Sequence, residues 1–174
     1  METTIFKSFI LITIILQMSC GASQQAVVTP PVERIIEKER VINKPFETIW
    51  QNTIELLATY NMPIKNLDKS SGFIASDYKL ITGDPDTYMN CGVGRIKMTF
   101  GKMDRTNHGG NVNIIVKKIT DDSTKVIINA FYSCTENQYQ NSSRGYFLNS
   151  SYKIDCNTTG TLEKAFLDYL ATQQ

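Results

Sequence analysis

The chain has 174 residues, the size of one ordinary domain, which is enough to bury a single hydrophobic core without structural metals. Eighteen lysine and arginine residues oppose 17 aspartate and glutamate residues, so the formal net charge is +1. This near-neutral balance argues against nucleic acid, or an anionic membrane surface, as the main partner.

The first 19 residues have the order of a secretory signal peptide. Lys7 precedes the apolar run FILITIIL at residues 9–16, and the small residue Ser19 comes directly before Cys20. The run is too short for a membrane-spanning helix, which needs about 20 apolar residues. We therefore expect residues 1–19 to be a signal peptide that is removed.

The tetrad QMSC at residues 17–20 resembles the lipobox of bacterial lipoproteins, in which the cysteine becomes the acylated first residue of the mature chain. Gln17 stands where that family prefers leucine, and Leu16 lies one residue earlier. The resemblance implies that Cys20 carries several acyl chains, and at about 0.8 kcal/mol per buried CH2 these give stable membrane attachment. The alternative is an ordinary secreted protein with a cysteine near its cleavage site.

Residues 20–32 read as a lipidated, flexible tether. They are mostly small and polar, contain two prolines, and show neither a helical nor a strand period. By resemblance to lipoprotein sorting in enterobacteria, Gly21 after the cysteine implies the outer membrane, with the protein facing the periplasm. Residues 33–174 then form one globular domain.

The domain begins with a predicted strand and a predicted helix. Residues 33–42, ERIIEKERVI, mix charges with isoleucine and valine, which indicates a long, partly exposed strand. The next stretch, residues 43–61, has Pro45 near a helix start and apolar residues at spacings of three and four. We expect this helix to end at Asn61 and its Trp50 and Tyr60 to be core residues.

Strands dominate the middle of the chain. Residues 62–80 predict two short strands around a turn at residues 68–72. Three further strands, predicted from alternating apolar residues, form an antiparallel meander at residues 94–103, 108–120 and 125–134.

The end of the chain combines a predicted loop with a second helix. Residues 135–155, TENQYQNSSRGYFLNSSYKID, show no reliable core pattern and are predicted as a long loop, in which residues 146–148 dock on the body or add a short edge strand. Residues 158–174 predict an amphipathic helix that covers the sheet with Leu162, Ala165, Phe166, Tyr169 and Leu170. The sequence thus predicts an α+β fold, an antiparallel sheet packed on one face by two helices.

Two segments resemble a known family. Residues 39–78, with PFETIW opening the helix and IKNLDKSSGFIASDY forming the hairpin, are similar to envelope lipoprotein domains of the BamC kind, which belong to the outer-membrane β-barrel assembly machinery. The ending CNTTGTLEKAFLDYL at residues 156–170 resembles the closing segment of related lipoproteins. The resemblance implies a helix-grip fold, in which a curved antiparallel sheet holds a long C-terminal helix. Such domains are interaction modules, so it transfers no catalytic residue.

Once Cys20 is acylated, three thiols remain, and a single disulfide leaves one of them over. Cys91 precedes a predicted strand and Cys156 precedes the last helix, so a bridge between them would fasten the polar region and that helix to the sheet. We favour this pairing. The main competitor joins Cys134 to Cys156, and otherwise Cys134 is a small apolar core residue.

Catalytic and metal-binding patterns are weak. His108 is the only histidine and lies in NHGG, a turn-like composition. Asp84 and Asp86 could contact calcium, but the twelve-residue loop pattern with its terminal glutamate is missing. The glycines of CGVG lack the rest of a phosphate-binding fingerprint. We expect no enzyme, no cofactor and no metal site, and a pocket gathering Asp84, Asp86 and His108 would argue otherwise.

These observations lead to one functional expectation and one alternative. The expected function is that of a lipid-anchored envelope lipoprotein, a non-enzymatic binding or assembly module with an envelope protein as partner. The alternative is a carrier that holds an apolar ligand between sheet and helix. For the carrier, a face formed by Ile96, Met98, Phe100, Phe166 and Leu170 would line a cavity; otherwise the same face fills the core.

Overall fold

The computed structural model describes residues 35–92 and 101–173. The predicted signal peptide, the whole predicted tether with Cys20, and residues 33–34 of the predicted domain lie outside this range. Within it, two helices and an eight-stranded antiparallel sheet make an α+β fold. In chain order the elements are β1 (Glu39–Ile42), α1 (Phe46–Thr59), β2 (Ile64–Asp68), β3 (Phe73–Ser76), β4 (Lys79–Leu80), a 3₁₀ turn (Pro85–Thr87), β5 (Met89–Asn90), β6 (Gly101–Thr120), β7 (Ser123–Ser142), β8 (Gly145–Thr158) and α2 (Thr161–Thr172).

The sheet is built around the pairing of β6 with β7, which runs from Gly101 opposite Gln140 to Thr120 opposite Ser123. The strand order is β2, β3, β6, β7, β8, β5, with β1 added beside the start of β7 and β4 beside the middle of β6. All these pairs are antiparallel. The turn at residues 121–122, which the sequence predicts, joins the two longest strands.

The predicted loop at residues 135–155 is wrong. β7 continues to Ser142, and β8 begins at Gly145 and returns along it. Polar side chains stabilise these strands: Asn137 donates to Asp104 at 3.0 Å, and Ser151 donates to Asn137 at 2.8 Å. Because most of these side chains remain exposed, the sequence has no apolar alternation from which strands could be recognised. We call residues 101–106, 135–142 and 145–155 the wing.

The predicted three-stranded meander is correct only in part: residues 108–120 and 125–134 lie on neighbouring antiparallel strands, as predicted, but the first strand is not a separate element. Residues 101–103, expected at the end of one strand, belong to the same strand as residues 108–120, and residues 94–100 lie outside the described range. NHGG forms a bulge inside β6, between Thr106 and Gly109, and Asn107 has a φ of 51° there. A bulge and a turn both use Asn and Gly, so composition does not separate them.

The remaining predicted elements are present with adjusted bounds. Both helices and the β2–β3 hairpin occur where the sequence places them. The first strand is shorter than predicted, since only Glu39–Ile42 pairs with β7. Neither described helix is long and apolar enough to cross a membrane.

One apolar core joins the helices to the sheet. The fully buried side chains of the helices include Ile49, Leu56 and Leu57 of α1 and Phe166, Leu167 and Leu170 of α2; those of the sheet include Ile74, Ile114 and Ile128. Burying one such side chain contributes about 1.5–3 kcal/mol. Phe166 and Leu170 therefore fill the core, whereas Ile96, Met98 and Phe100 lie outside the described residues. Trp50 is buried, but Tyr60 is 37% exposed.

Gly72 has no room for a side chain. Its φ is +70°, and an added Cβ would lie 2.0 Å from the carbonyl oxygen of Val116. We expect Gly72→Ala to lower the free energy of unfolding by more than about 3 kcal/mol, because positive-φ strain of about 1–3 kcal/mol is joined by disruption of the sheet. Urea unfolding measures this change. Gly83→Ala is the control, since its φ is +106° with open space around it, and an equal loss in both variants would contradict the role of the Val116 contact.

Candidate functional site

A cavity of about 220 Å³ opens where the two helix ends meet the middle of the sheet. Its wall is mainly apolar and includes three tyrosine rings. The lining residues are Tyr60, Met62, Lys79, Leu80, Ile81, Thr82, Tyr88, Gly110, Asn111, Val112, Tyr132 and Leu162. Apolar walls with a few polar groups are typical of small-molecule sites.

Short contacts hold the β4 side of this cavity in place. Lys79 donates its Nζ proton to the carbonyl oxygen of Tyr60 at 2.8 Å, and the Ile81 amide donates to the carbonyl oxygen of His108 at 2.8 Å. On the opposite side, a Cβ at Gly110 would lie 2.4 Å from the ring of Tyr132. Glycine at this position therefore lets the tyrosine ring lie close to β6.

Two buried polar groups lie near the cavity without complete hydrogen bonding. The hydroxyl of Tyr132, a residue only 7% exposed, has no partner among the described residues. Glu163 is fully buried; its Oε2 accepts a hydrogen bond from Thr158 at 2.9 Å, but its Oε1 has no such partner. Burial is the main cause that raises the pKa of Tyr132. The nearby Glu163 carboxylate and Tyr88 hydroxyl raise it further. A ligand must displace side chains to reach either atom, because both are shielded by protein.

A disulfide joins Cys91 to Cys156, the pairing favoured from sequence. The bridge lies next to β5, where Met89 and Asn90 pair with Thr158 and Asn157 of β8. Closing a separation of 65 residues contributes about 4 kcal/mol in the chain-entropy model. The bridge fastens residues 82–92, which include Thr82 and Tyr88 of the cavity wall, to β8.

Cys134 is a free thiol beside this disulfide. It is only 1% exposed, and its Sγ lies 3.9 Å from the Sγ of Cys156. The sulfur atoms of Cys91, Cys134 and Cys156 all lie within 4.8 Å of one another. Burial raises the pKa of the Cys134 thiol, so at neutral pH it is protonated and a poor nucleophile.

A polar network lies beside the cysteines at the base of the wing. Arg105 donates to Oε2 of Glu136 through Nε at 3.1 Å and Nη2 at 3.0 Å, and through Nη1 to the carbonyl oxygen of Gly92 at 2.7 Å. Tyr152 donates its hydroxyl proton to Oε1 of Glu136. Burial opposes ionisation of Glu136, but the hydrogen bonds from Tyr152 and Arg105 together lower its pKa. The network ties residues 82–92 to the wing in addition to the disulfide.

The structure does not gather the other candidate residues. Asp84 accepts a hydrogen bond from the backbone of Asp86 at 3.1 Å and caps the 3₁₀ turn, while His108 lies in the β6 bulge. None of the three lines the cavity. Over residues 35–92 and 101–173, the three cysteines are the one group with metal-ligand spacing. The sequence did not single out Arg105, Glu136 and Tyr152. Glu136 and Tyr152 fall in the segment predicted as loop, and Arg105 lies between two predicted strands.

No family model matches the chain, and no curated protein matches it. The function must therefore be argued from the residues and their arrangement.

The Arg105–Glu136 pair yields a prediction. We expect Arg105→Met to lower the free energy of unfolding at pH 7 by about 2–3 kcal/mol, because it leaves the Glu136 carboxylate, whose side chain is 7% exposed, without its main partner. Arg105→Met combined with Glu136→Leu removes both charges and should restore much of the stability. Urea unfolding of the wild type, Arg105→Met, Glu136→Leu and the double variant measures the coupling between the two side chains.

The stability difference between the wild type and the double variant should depend on pH in a defined direction. The folded-state pKa of Glu136 lies below the unfolded value of about 4.3, so the unfolded chain takes up the proton first as pH falls. The difference in free energy of unfolding between the wild type and the double variant should be largest above that value. It should decline as pH drops toward the folded-state pKa. A difference in free energy of unfolding that stays constant from pH 7 to pH 3 would contradict a lowered pKa of Glu136 in the folded state.

Proposed function

We propose that this protein is a lipid-anchored module of the cell envelope that acts without catalysis, by binding another envelope protein through the wing. The observation that carries the proposal is the exposed apolar group at the end of the wing. Tyr146 is 59% exposed and Leu148 53%, and these two share one face of β8; Phe147, 49% exposed, lies between them on the other face. Grouped apolar residues on a surface, unlike single ones, mark interaction sites.

The outer edge of β8 supports the same role. β5 pairs only with residues 157–158 of this strand, so among the described residues 145–155 pair on one side alone, with β7. An open strand of this length promotes uncontrolled association unless something covers it. The occupant we propose is an extended segment of the partner protein, which adds a strand to β8 and places apolar side chains against Tyr146 and Leu148.

The envelope location rests on the N-terminal segment and agrees with the cysteines. Acylation of Cys20 would attach the domain to a membrane, and residues 21–32 would form a flexible link between the two. A disulfide is typical of an oxidising compartment such as the periplasm. The helix-grip arrangement belongs to this proposal too, and it is supported by an antiparallel sheet sharing one core with α1 and α2.

Crosslinking followed by pull-down from envelopes tests both parts. We expect Cys20→Ala to appear in the soluble fraction and to lose its crosslinked partner. The double variant Tyr146→Ser/Leu148→Ser should stay on the membrane and lose the partner, because only the apolar contact is removed. Ile119→Ser is the matched control, since Ile119 is 55% exposed near the opposite end of β6.

This experiment tests the lipid anchor and the docking surface independently of each other. Cys20→Ala that remains with the membrane would contradict the lipid anchor. A wing variant that keeps wild-type crosslinking would contradict the docking surface while leaving the anchor untouched.

The cavity favours a second candidate function, the carriage of a small apolar ligand. Its volume of about 220 Å³ is below the roughly 300–1,000 Å³ of drug-sized sites, so the ligand is a compact molecule or the end of a chain. The rings of Tyr60, Tyr88 and Tyr132 would contact it.

Native mass spectrometry of protein from its own host tests this function. We expect a co-purifying small molecule that is lost in Leu80→Trp, because the larger side chain fills the cavity. Leu67→Trp is the control, since both leucines are about half exposed on strands but only Leu80 lines the cavity. Protein that carries no ligand, or a ligand retained in Leu80→Trp, would contradict the carrier.

A further inference from the structure

We propose that Cys91, Cys134 and Cys156, after reduction of the disulfide, form a binding site for one soft metal ion, for which copper(I) is the best fit. The inference does not depend on the proposed function. It goes beyond the roles predicted from sequence, in which Cys134 was either a disulfide partner of Cys156 or a core residue and the candidate metal ligands were Asp84, Asp86 and His108.

The spacing of the sulfur atoms carries the argument. Thiolates bind zinc at about 2.3 Å, and three sulfurs at that distance around a central ion in one plane lie about 4 Å apart. The Sγ atoms of Cys134 and Cys156 are 3.9 Å apart. All three sulfurs lie within 4.8 Å, so only the bonded pair must separate once the disulfide is broken.

The elements that carry the three residues fit this movement. Cys134 and Cys156 lie on the paired strands β7 and β8, where their partners across the ladder are Ile154 and Tyr132. Cys91 instead follows the two-residue strand β5. Reduction therefore leaves two sulfurs on a rigid support and frees the third to turn around the ion.

The ligand chemistry selects the metal. Thiolates prefer soft ions, and zinc takes four ligands, whereas this cluster offers three. The only histidine, His108, is not part of the cluster, and the remaining cysteine of the chain is Cys20. Cys134 and Cys156 are 1% and 9% exposed and Cys91 is partly buried, so water has limited access to the cluster. Three thiolates around a monovalent ion leave a net charge of −2; the nearby Arg105 favours this charge and the Glu136 carboxylate paired with it opposes it.

Direct exchange between Cys134 and the disulfide is disfavoured by the same geometry. A thiolate attacks along the axis of the bond it breaks, and with a disulfide of about 2 Å the Cys134 sulfur would then lie about 6 Å from the far sulfur. Cys134 lies 3.9 Å from Cys156 and within 4.8 Å of Cys91. The Cys134 sulfur therefore lies to the side of the Cys91–Cys156 bond, and the three sulfur atoms form a triangle.

The site requires a reductant, and a dithiol supplies it. Two electrons and two protons pass from the dithiol to the Cys91–Cys156 bond, giving two thiols, while the dithiol closes to its own disulfide. Binding of copper(I) by the three thiols then releases three protons to solvent. Reoxidation by a disulfide, which accepts the two electrons together with two protons and becomes a dithiol, removes two of the three ligands and expels the ion. The Cys91–Cys156 bond and the bound metal therefore exclude each other.

Titration of the full chain with copper(I) under anaerobic conditions tests the proposal. The chain carries Cys20→Ser to remove the fourth thiol and is reduced with a phosphine, which leaves no competing thiol. In competition with a chromophoric copper(I) chelator, we expect one ion per reduced chain. Cys134→Ser should lower the affinity by more than about tenfold, the least that losses outside the ligand shell cause in metal sites. Ile154→Val, a change opposite Cys134 that spares every thiol, should bind like the parent.

Three results would overturn the proposal. The first is that the oxidised chain binds copper(I) as tightly as the reduced chain. The second is that Cys134→Ser binds like the parent, which would mean that Cys134 is not a ligand. The third is that the reduced chain loses its native circular dichroism spectrum before metal is added and does not regain it with copper(I), because the strands that hold the triangle would then be absent.

Discussion

The pairing of β6 with β7 is the constraint on which the rest of the structure depends. These strands stay paired from Thr120 opposite Ser123 to Gly101 opposite Gln140. At the turn end, alternate side chains point into the core and bind both helices to the sheet. At the other end the same ladder continues with polar and exposed side chains and becomes the wing. This strand pair, whose register shifts between Thr106 and Gly109 and between Lys118 and Thr120, thus links an apolar core to a surface element that has no core of its own.

The bulge within β6 separates the part of the β6–β7 pair that faces the core from the part that belongs to the wing. Gly109 and Gly110 leave space for the rings of Tyr78 and Tyr132, which would otherwise collide with side chains on the strand. The cavity lies on the core side of this point, and the Arg105–Glu136 pair lies on the wing side. Because the disulfide and Arg105 both hold residues 82–92, the cavity wall and the base of the wing are mechanically connected. Events at the cysteines would therefore reach both candidate binding surfaces.

The proposed anchor, wing and thiol site make different demands on the chain. An anchor needs only the segment around Cys20, a docking strand needs an open edge on β8, and the metal site needs the disulfide to be reduced. An oxidising envelope keeps the bridge closed and the 82–92 segment fixed. A dithiol donor in the same compartment would convert that structural bridge into a ligand set, so the redox state would decide which role the cysteines serve.

The sequence by itself determined the helices, the β2–β3 hairpin, the α+β class and the favoured partner of Cys91, because apolar periodicity, turn residues and position along the chain are local properties. It could not determine the wing, since strands with two exposed faces lack a buried stripe and are stabilised by partners such as Asp104 and Asn137, which are distant in sequence. The tertiary structure alone decided that NHGG is a bulge. It likewise brought Cys134 to within 3.9 Å of Cys156, because only strand register sets which side chains of β7 and β8 become neighbours.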